Sequence, residues 1–146
     1  MKLGFIVNPI AGMGGKVGLK GTDGKDVLEK AIKLGAYPES PDKAKKALEV
    51  LIPLKGEIEI ITCPGKMGEE EAVELGFTPK VIGNRKSELG PEDTEEGARK
   101  MLEMGVDLLL FAGGDGTAKN VYNVIGDKLP VIGIPAGVKI HSAVFS

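Results

Sequence analysis

Residues 107–112 read Asp-Leu-Leu-Leu-Phe-Ala, a near-continuous apolar run that stops at Gly113-Gly114-Asp115-Gly116-Thr117. A run of strand length with no polar face cannot lie at a surface. It suits a central parallel strand covered on both sides. That requires neighbouring strands and a layer of helices above and below, and the rest of the chain supplies the patterns for both.

Strand patterns fall at residues 3–7 (Leu-Gly-Phe-Ile-Val), 57–62 (Glu-Ile-Glu-Ile-Ile-Thr), 80–83 and 131–134. Between them lie helical patterns. Residues 25–34 put Val27, Leu28, Ala31 and Ile32 on one face before Gly35. Residues 41–52 carry Ala44, Ala47, Leu48 and Leu51 at helical spacing. Further helices are expected over 66–75, ending at Gly76, over 92–104, ending at Gly105, and over 116–125, ending at Gly126. Alternating strands and helices predict an α/β three-layer domain with a mostly parallel sheet. At 146 residues the chain is one ordinary domain. With 42% hydrophobic residues and no Trp, its core must be built mainly from Leu, Ile, Val, Ala and Met.

Twenty-two glycines are about twice the usual share of roughly 7%. Many fall at element junctions, where positive φ or close backbone approach is needed. The strongest cluster is 113–117. It follows a buried strand, at the carboxyl edge of the sheet where α/β proteins bind ligands. The helix after it offers free N–H groups to an anion. Asp115 adds a carboxylate that could accept a proton from an attacking hydroxyl or hold Mg²⁺. The plainer reading makes Asp115 a helix N-cap and the glycines a tight turn. The second cluster, Asn8-Pro-Ile-Ala-Gly-Met-Gly-Gly15, follows the first strand at the same edge. It is neither a Walker A loop nor a clean dinucleotide fingerprint. Lys16, Lys20 and Lys25 could add charge there.

Other features read as structural. Cys63 is the only cysteine, so no intrachain disulfide is possible, and it reads as a small apolar filler. His141 is the only histidine and has no partners spaced for zinc. Lys139, His141 and Ser142 could at most reach a phosphate. Glu69–Glu71 and the acidic run 92–96 read as solvated helix starts that suit the helix dipole. A net charge of −2 gives no general attraction for nucleic acid or an anionic membrane. With no signal peptide or membrane-length apolar run, a cytoplasmic location is expected.

Gly113-Gly114-Asp115-Gly116-Thr117 after a hydrophobic strand resembles the signature of the NAD kinase superfamily, which includes diacylglycerol, sphingosine and phosphofructo-kinases. Asn8-Pro9 with Gly12 is similar to that superfamily's first glycine loop. Together with Asp93-Thr94 and residues 133–145, the chain looks most like the ATP-NAD kinase-like branch that includes the acetoin-catabolism X proteins. The resemblance implies a Rossmann-like N-terminal domain. It also implies phosphorylation of a hydroxyl by ATP or polyphosphate with Mg²⁺, NAD to NADP in the best-known members. Asp115 would be the base or activating carboxylate. Gly113, Gly114, Gly116 and Thr117 would line the phosphate site, and Asn8 and Gly12 would contact the nucleotide. Partners would be a nucleotide and a small-molecule substrate. The alternatives are a lipid kinase domain or a non-enzymatic nucleotide-binding module. The superfamily's second, β-rich domain has no counterpart in these residues, and 137–146 carry apolar side chains that want partners. The chain is therefore expected to be the N-terminal part of a longer protein and to associate with itself or with that domain.

Overall fold

The computed structural model describes residues 1–9, 40–84 and 90–135. The expected helix over 25–34, Gly12, Lys16, Lys20, Lys25, Lys139, His141 and Ser142 lie outside the described residues. The strands are β1 (Lys2–Val7), β2 (Glu59–Thr62), β3 (Lys80–Val81), β4 (Leu108–Gly113) and β5 (Val131–Pro135). They form one sheet in the order β3-β2-β1-β4-β5, with every pair parallel. The helices are α1 (Ser40–Glu49), α2 (Glu69–Glu74), α3 (Pro91–Glu103) and α4 (Asp115–Ile125). None is long and apolar enough to cross a membrane.

β4 is buried on both faces, as its apolar run requires. Leu109 and Phe111 pack in one core with Ile6, Ala98 and Met101 of β1 and α3 and with Val121 of α4. Leu110 and Ala112 pack in a second core with Phe5 and Val7 of β1 and Ala44 and Leu48 of α1. Each fully buried Leu, Ile, Val, Phe or Met among them contributes about 1.5–3 kcal/mol. The sheet therefore sits between α3 and α4 on one side and α1 and α2 on the other. At Gly4 a Cβ would lie 2.9 Å from Met101 Sδ and 3.0 Å from Leu109 Cδ1. The missing side chain lets α3 seat closely on β1.

Several expected boundaries shift; α1, for one, closes at Glu49 and not at 52. The helix expected over 66–75 is instead a 3₁₀ turn, Gly65–Met67, followed by α2. Gly68 separates them at φ 139°, a conformation that breaks any helix. β2 begins at Glu59, because Ile52–Glu57 coil into a 3₁₀ turn with Pro53 in its first positions. β3 ends at Val81, although the Ile82 N–H still bonds the Thr62 carbonyl at 2.8 Å. Gly76, Gly105 and Gly126 all take positive φ just after their helices, as expected of C-terminal caps.

Candidate functional site

In this strand order the chain runs from β1 outward through β2 to β3, then crosses to β4 on the other flank of β1. The switch point lies between the carboxyl ends of β1 and β4, where doubly wound sheets leave a crevice for ligands. Asn8 and Gly113 stand at that point. The register pairs Val7 with Ala112. The Asn8 N–H extends the ladder by one bond, to the Ala112 carbonyl at 2.9 Å.

The end of β1 and the start of α4 meet through side chains. Asn8 Nδ2 donates to Thr117 Oγ1 at 2.9 Å across 109 residues of sequence. Thr117 lies in the first turn of α4 and is only 3% exposed. Its position depends on Gly113: a Cβ there would fall 2.5 Å from Thr117 Cβ and 2.7 Å from Thr117 Cγ2. Real Cβ atoms do not come so close, so only glycine lets Thr117 sit over the strand end. Gly113 is thus a packing requirement of the site.

Gly116 differs. Nothing lies within 4 Å of where its Cβ would be, and the residue is exposed. The protein's own packing does not call for a glycine there. The bare backbone leaves room beside the helix start, where first-turn N–H groups have no acceptor inside the helix.

Asp115 is not the cap that the plainer reading made it. The N-cap is Gly114, in extended conformation at φ −98° and ψ −162°, with no side-chain cap. Helical bonding starts from its carbonyl, which accepts the Ala118 N–H at 3.0 Å. Asp115 is the first helical residue, with a half-buried side chain. Its carboxylate therefore stands beside the helix start, where negative charge is favoured. Of the predicted site residues, the fold brings Asn8, Gly113, Gly114, Asp115, Gly116 and Thr117 together. Among the described residues no group of three or more His, Cys, Asp or Glu side chains could hold a metal by itself.

Several residues take roles that the sequence left blank or misassigned. Asp93 closes the start of α3: its Oδ2 accepts the Gly90 N–H at 2.8 Å, and its own N–H bonds the Gly90 carbonyl at 3.0 Å. Thr94 beside it is buried. Cys63 is buried as expected, and burial, seconded by Asp93, pushes its thiol up to about 12, so it stays unreactive at neutral pH. Glu71 departs from the expected solvated helix start. It is 4% exposed, its Oε2 has no hydrogen-bond partner, and burial, with Glu70 next, pushes its carboxyl up to about 8. Glu69 is also engaged, accepting the Gly65 N–H at 2.8 Å. A cleft at the ends of β2 and β3 was not expected at all. No motif marks it, because its walls come from three separate stretches of sequence.

The parallel sheet, with Asn8 and Thr117 joined at its switch point, defines a doubly wound α/β domain. Its sequence matches the model of the ATP-NAD kinase N-terminal domain over residues 3–146, and the chain belongs to that family. It is a kinase domain of the NAD-kinase type. No curated protein matches it.

Proposed function

We propose that the protein is an ATP- or polyphosphate-dependent kinase that phosphorylates a hydroxyl group of a small molecule, with NAD to NADP as the reaction. The Asn8–Thr117 hydrogen bond carries this reading, because it ties the residue after β1 to the first turn of α4 at the switch point. Phosphates would lie against the first turn of α4, where N–H groups and the helix dipole favour negative charge. The open side at Gly116 supports such an approach. Gly114 and Thr117 would shape the floor, and Gly12 would add a contact from the first loop. Asp115 would accept the proton of the acceptor hydroxyl as it attacks phosphorus, a role worth about 10²–10⁴ in rate.

Mg²⁺ fits this arrangement. A magnesium ion on phosphates needs only one or two protein carboxylates, and Asp115 would supply one if it held the ion in place of taking the proton. When bound, the ion would neutralise charge on the phosphoryl oxygens. The reading includes a cytoplasmic protein with small-molecule partners and no nucleic acid or membrane, which the net charge of −2 supports.

The test is to incubate the full-length gene product with NAD, Mg²⁺ and either ATP or polyphosphate, and to assay NADP. NADP formation is expected. Nucleotide binding with no phosphorylated product, from NAD or from a metabolite panel, would instead make this a binding module.

A further inference from the structure

A cleft of about 370 Å³ opens at the carboxyl ends of β2 and β3. One wall is the turn Cys63–Met67 and the other is the N-terminal half of α3; residues 82–84 close the end. The volume is within the range of small-molecule sites, roughly 300–1,000 Å³. The floor is tight because α3 approaches β2 at Gly97, where a Cβ would fall 2.7 Å from Cys63 Sγ.

The cleft shares the sheet edge with Asn8 and Thr117, on the β2 side of the switch point. A nucleotide whose phosphates rest at a switch point lays its sugar and base along that edge, over the next strand. The lining suits those parts. Glu70 and Glu96 are exposed carboxylates able to accept from sugar hydroxyls, and the Asn84 amide both donates and accepts. Pro64, Met67 and Ile82 offer apolar surface to a flat base. Three carboxylates, counting Asp93, stand against Lys66 and Lys100, and Lys100 is held by Glu96 at 3.2 Å. This balance disfavours a phosphate in the cleft and suits a neutral polyol.

We propose that the cleft receives the nucleoside half, ribose and base, of the nucleotide whose phosphates the switch-point loops hold. The assignment rests on the phosphate-site reading above. It gives the two ends of one ligand to two different sets of side chains, so they can be separated experimentally.

Calorimetric titration with ATP, adenosine and inorganic tripolyphosphate makes the separation. The wild-type protein should bind ATP at least about tenfold more tightly than tripolyphosphate, a difference of about 1.4 kcal/mol. The Glu70→Gln/Glu96→Gln protein should weaken ATP and adenosine by about tenfold and leave tripolyphosphate unchanged. Thr117→Val should weaken ATP and tripolyphosphate and leave adenosine unchanged. A thermal melt confirms that each variant is folded; both glutamates are exposed, so their replacement leaves the core intact. Equal binding of ATP and tripolyphosphate, or ATP binding indifferent to the double change, overturns the proposal. Adenosine binding that depends on Glu70 and Glu96, with no tripolyphosphate binding, would sink the phosphate-site reading and keep the cleft. Failure of all three probes overturns both.

Discussion

Thr117 is held from two sides. Below it, Gly113 leaves the space that its side chain fills; beside it, Asn8 donates to its hydroxyl. Each contact predicts a separate effect. Gly113→Ala forces a methyl into occupied space and should cost about 1–3 kcal/mol, read as a lowered urea midpoint. Wild-type stability would show that Thr117 can turn away freely. For the hydrogen bond, a double-mutant cycle over Asn8→Ala and Thr117→Val should give a coupling energy of about 0.5–1.5 kcal/mol. Strict additivity would show that the bond contributes nothing. Both residues stood out in the sequence because each belongs to a glycine loop after a strand. Their partnership did not, since no local pattern links positions 109 residues apart. The rank of Asp115 as first helical residue was equally hidden. It depends on the extended backbone of Gly114, and an acid after two glycines reads as well as a cap.

The elements α2 and α3 owe their seating to single residues. α2 turns Glu71 inward together with Ala72, so a carboxyl enters the second core's edge. Around it lie Glu70 and Glu74 of α2 and Lys45 of α1, and Lys45 is bonded to Glu74 at 3.0 Å. Burial raises the folded-state pKa of Glu71 to about 8, from an ordinary 4.5. Between these values the folded state keeps a proton that the unfolded chain releases. Stability from this group is therefore present at low pH and is lost as pH rises from about 4.5 to about 8. Glu71→Gln should flatten that slope and raise the melting temperature at pH 8 relative to wild type. An unchanged pH profile would mean that Glu71 is ionised in the folded protein. α3 depends on Gly97. The change Gly97→Ala sets a Cβ against Cys63 Sγ, and should lower stability by about 1–3 kcal/mol in a denaturant melt. Full stability in that variant would show that α3 can shift outward at no cost. The periodic patterns made α1, α3 and α4 legible to within a few residues. At α2 they ran three residues long at the start, because Gly68 breaks the run before it.

On the scale of the whole molecule, strand order decides where the chemistry can be. The alternating pattern and the apolar run at 107–112 made a parallel α/β sheet legible, and both glycine loops could be assigned to one edge. The order β3-β2-β1-β4-β5 was not legible, since it is set by which helices cover which face. That order makes β1 and β4 neighbours, so Asn8 and the 113–117 turn, far apart in sequence, become one corner. It also sets the ends of β2 and β3 beside that corner and opens the cleft there. The family match over residues 3–146 makes the chain a kinase domain of the NAD-kinase type. Among the described residues, Asp115 is the carboxylate that the corner carries at the start of α4. The most direct test is the phosphoryl-transfer rate of the full-length protein with Asp115→Asn, measured beside its melting temperature. A fall in kcat of about 10²–10⁴ is expected, with the melt essentially unchanged. Near-normal turnover by a folded Asp115→Asn protein would contradict it.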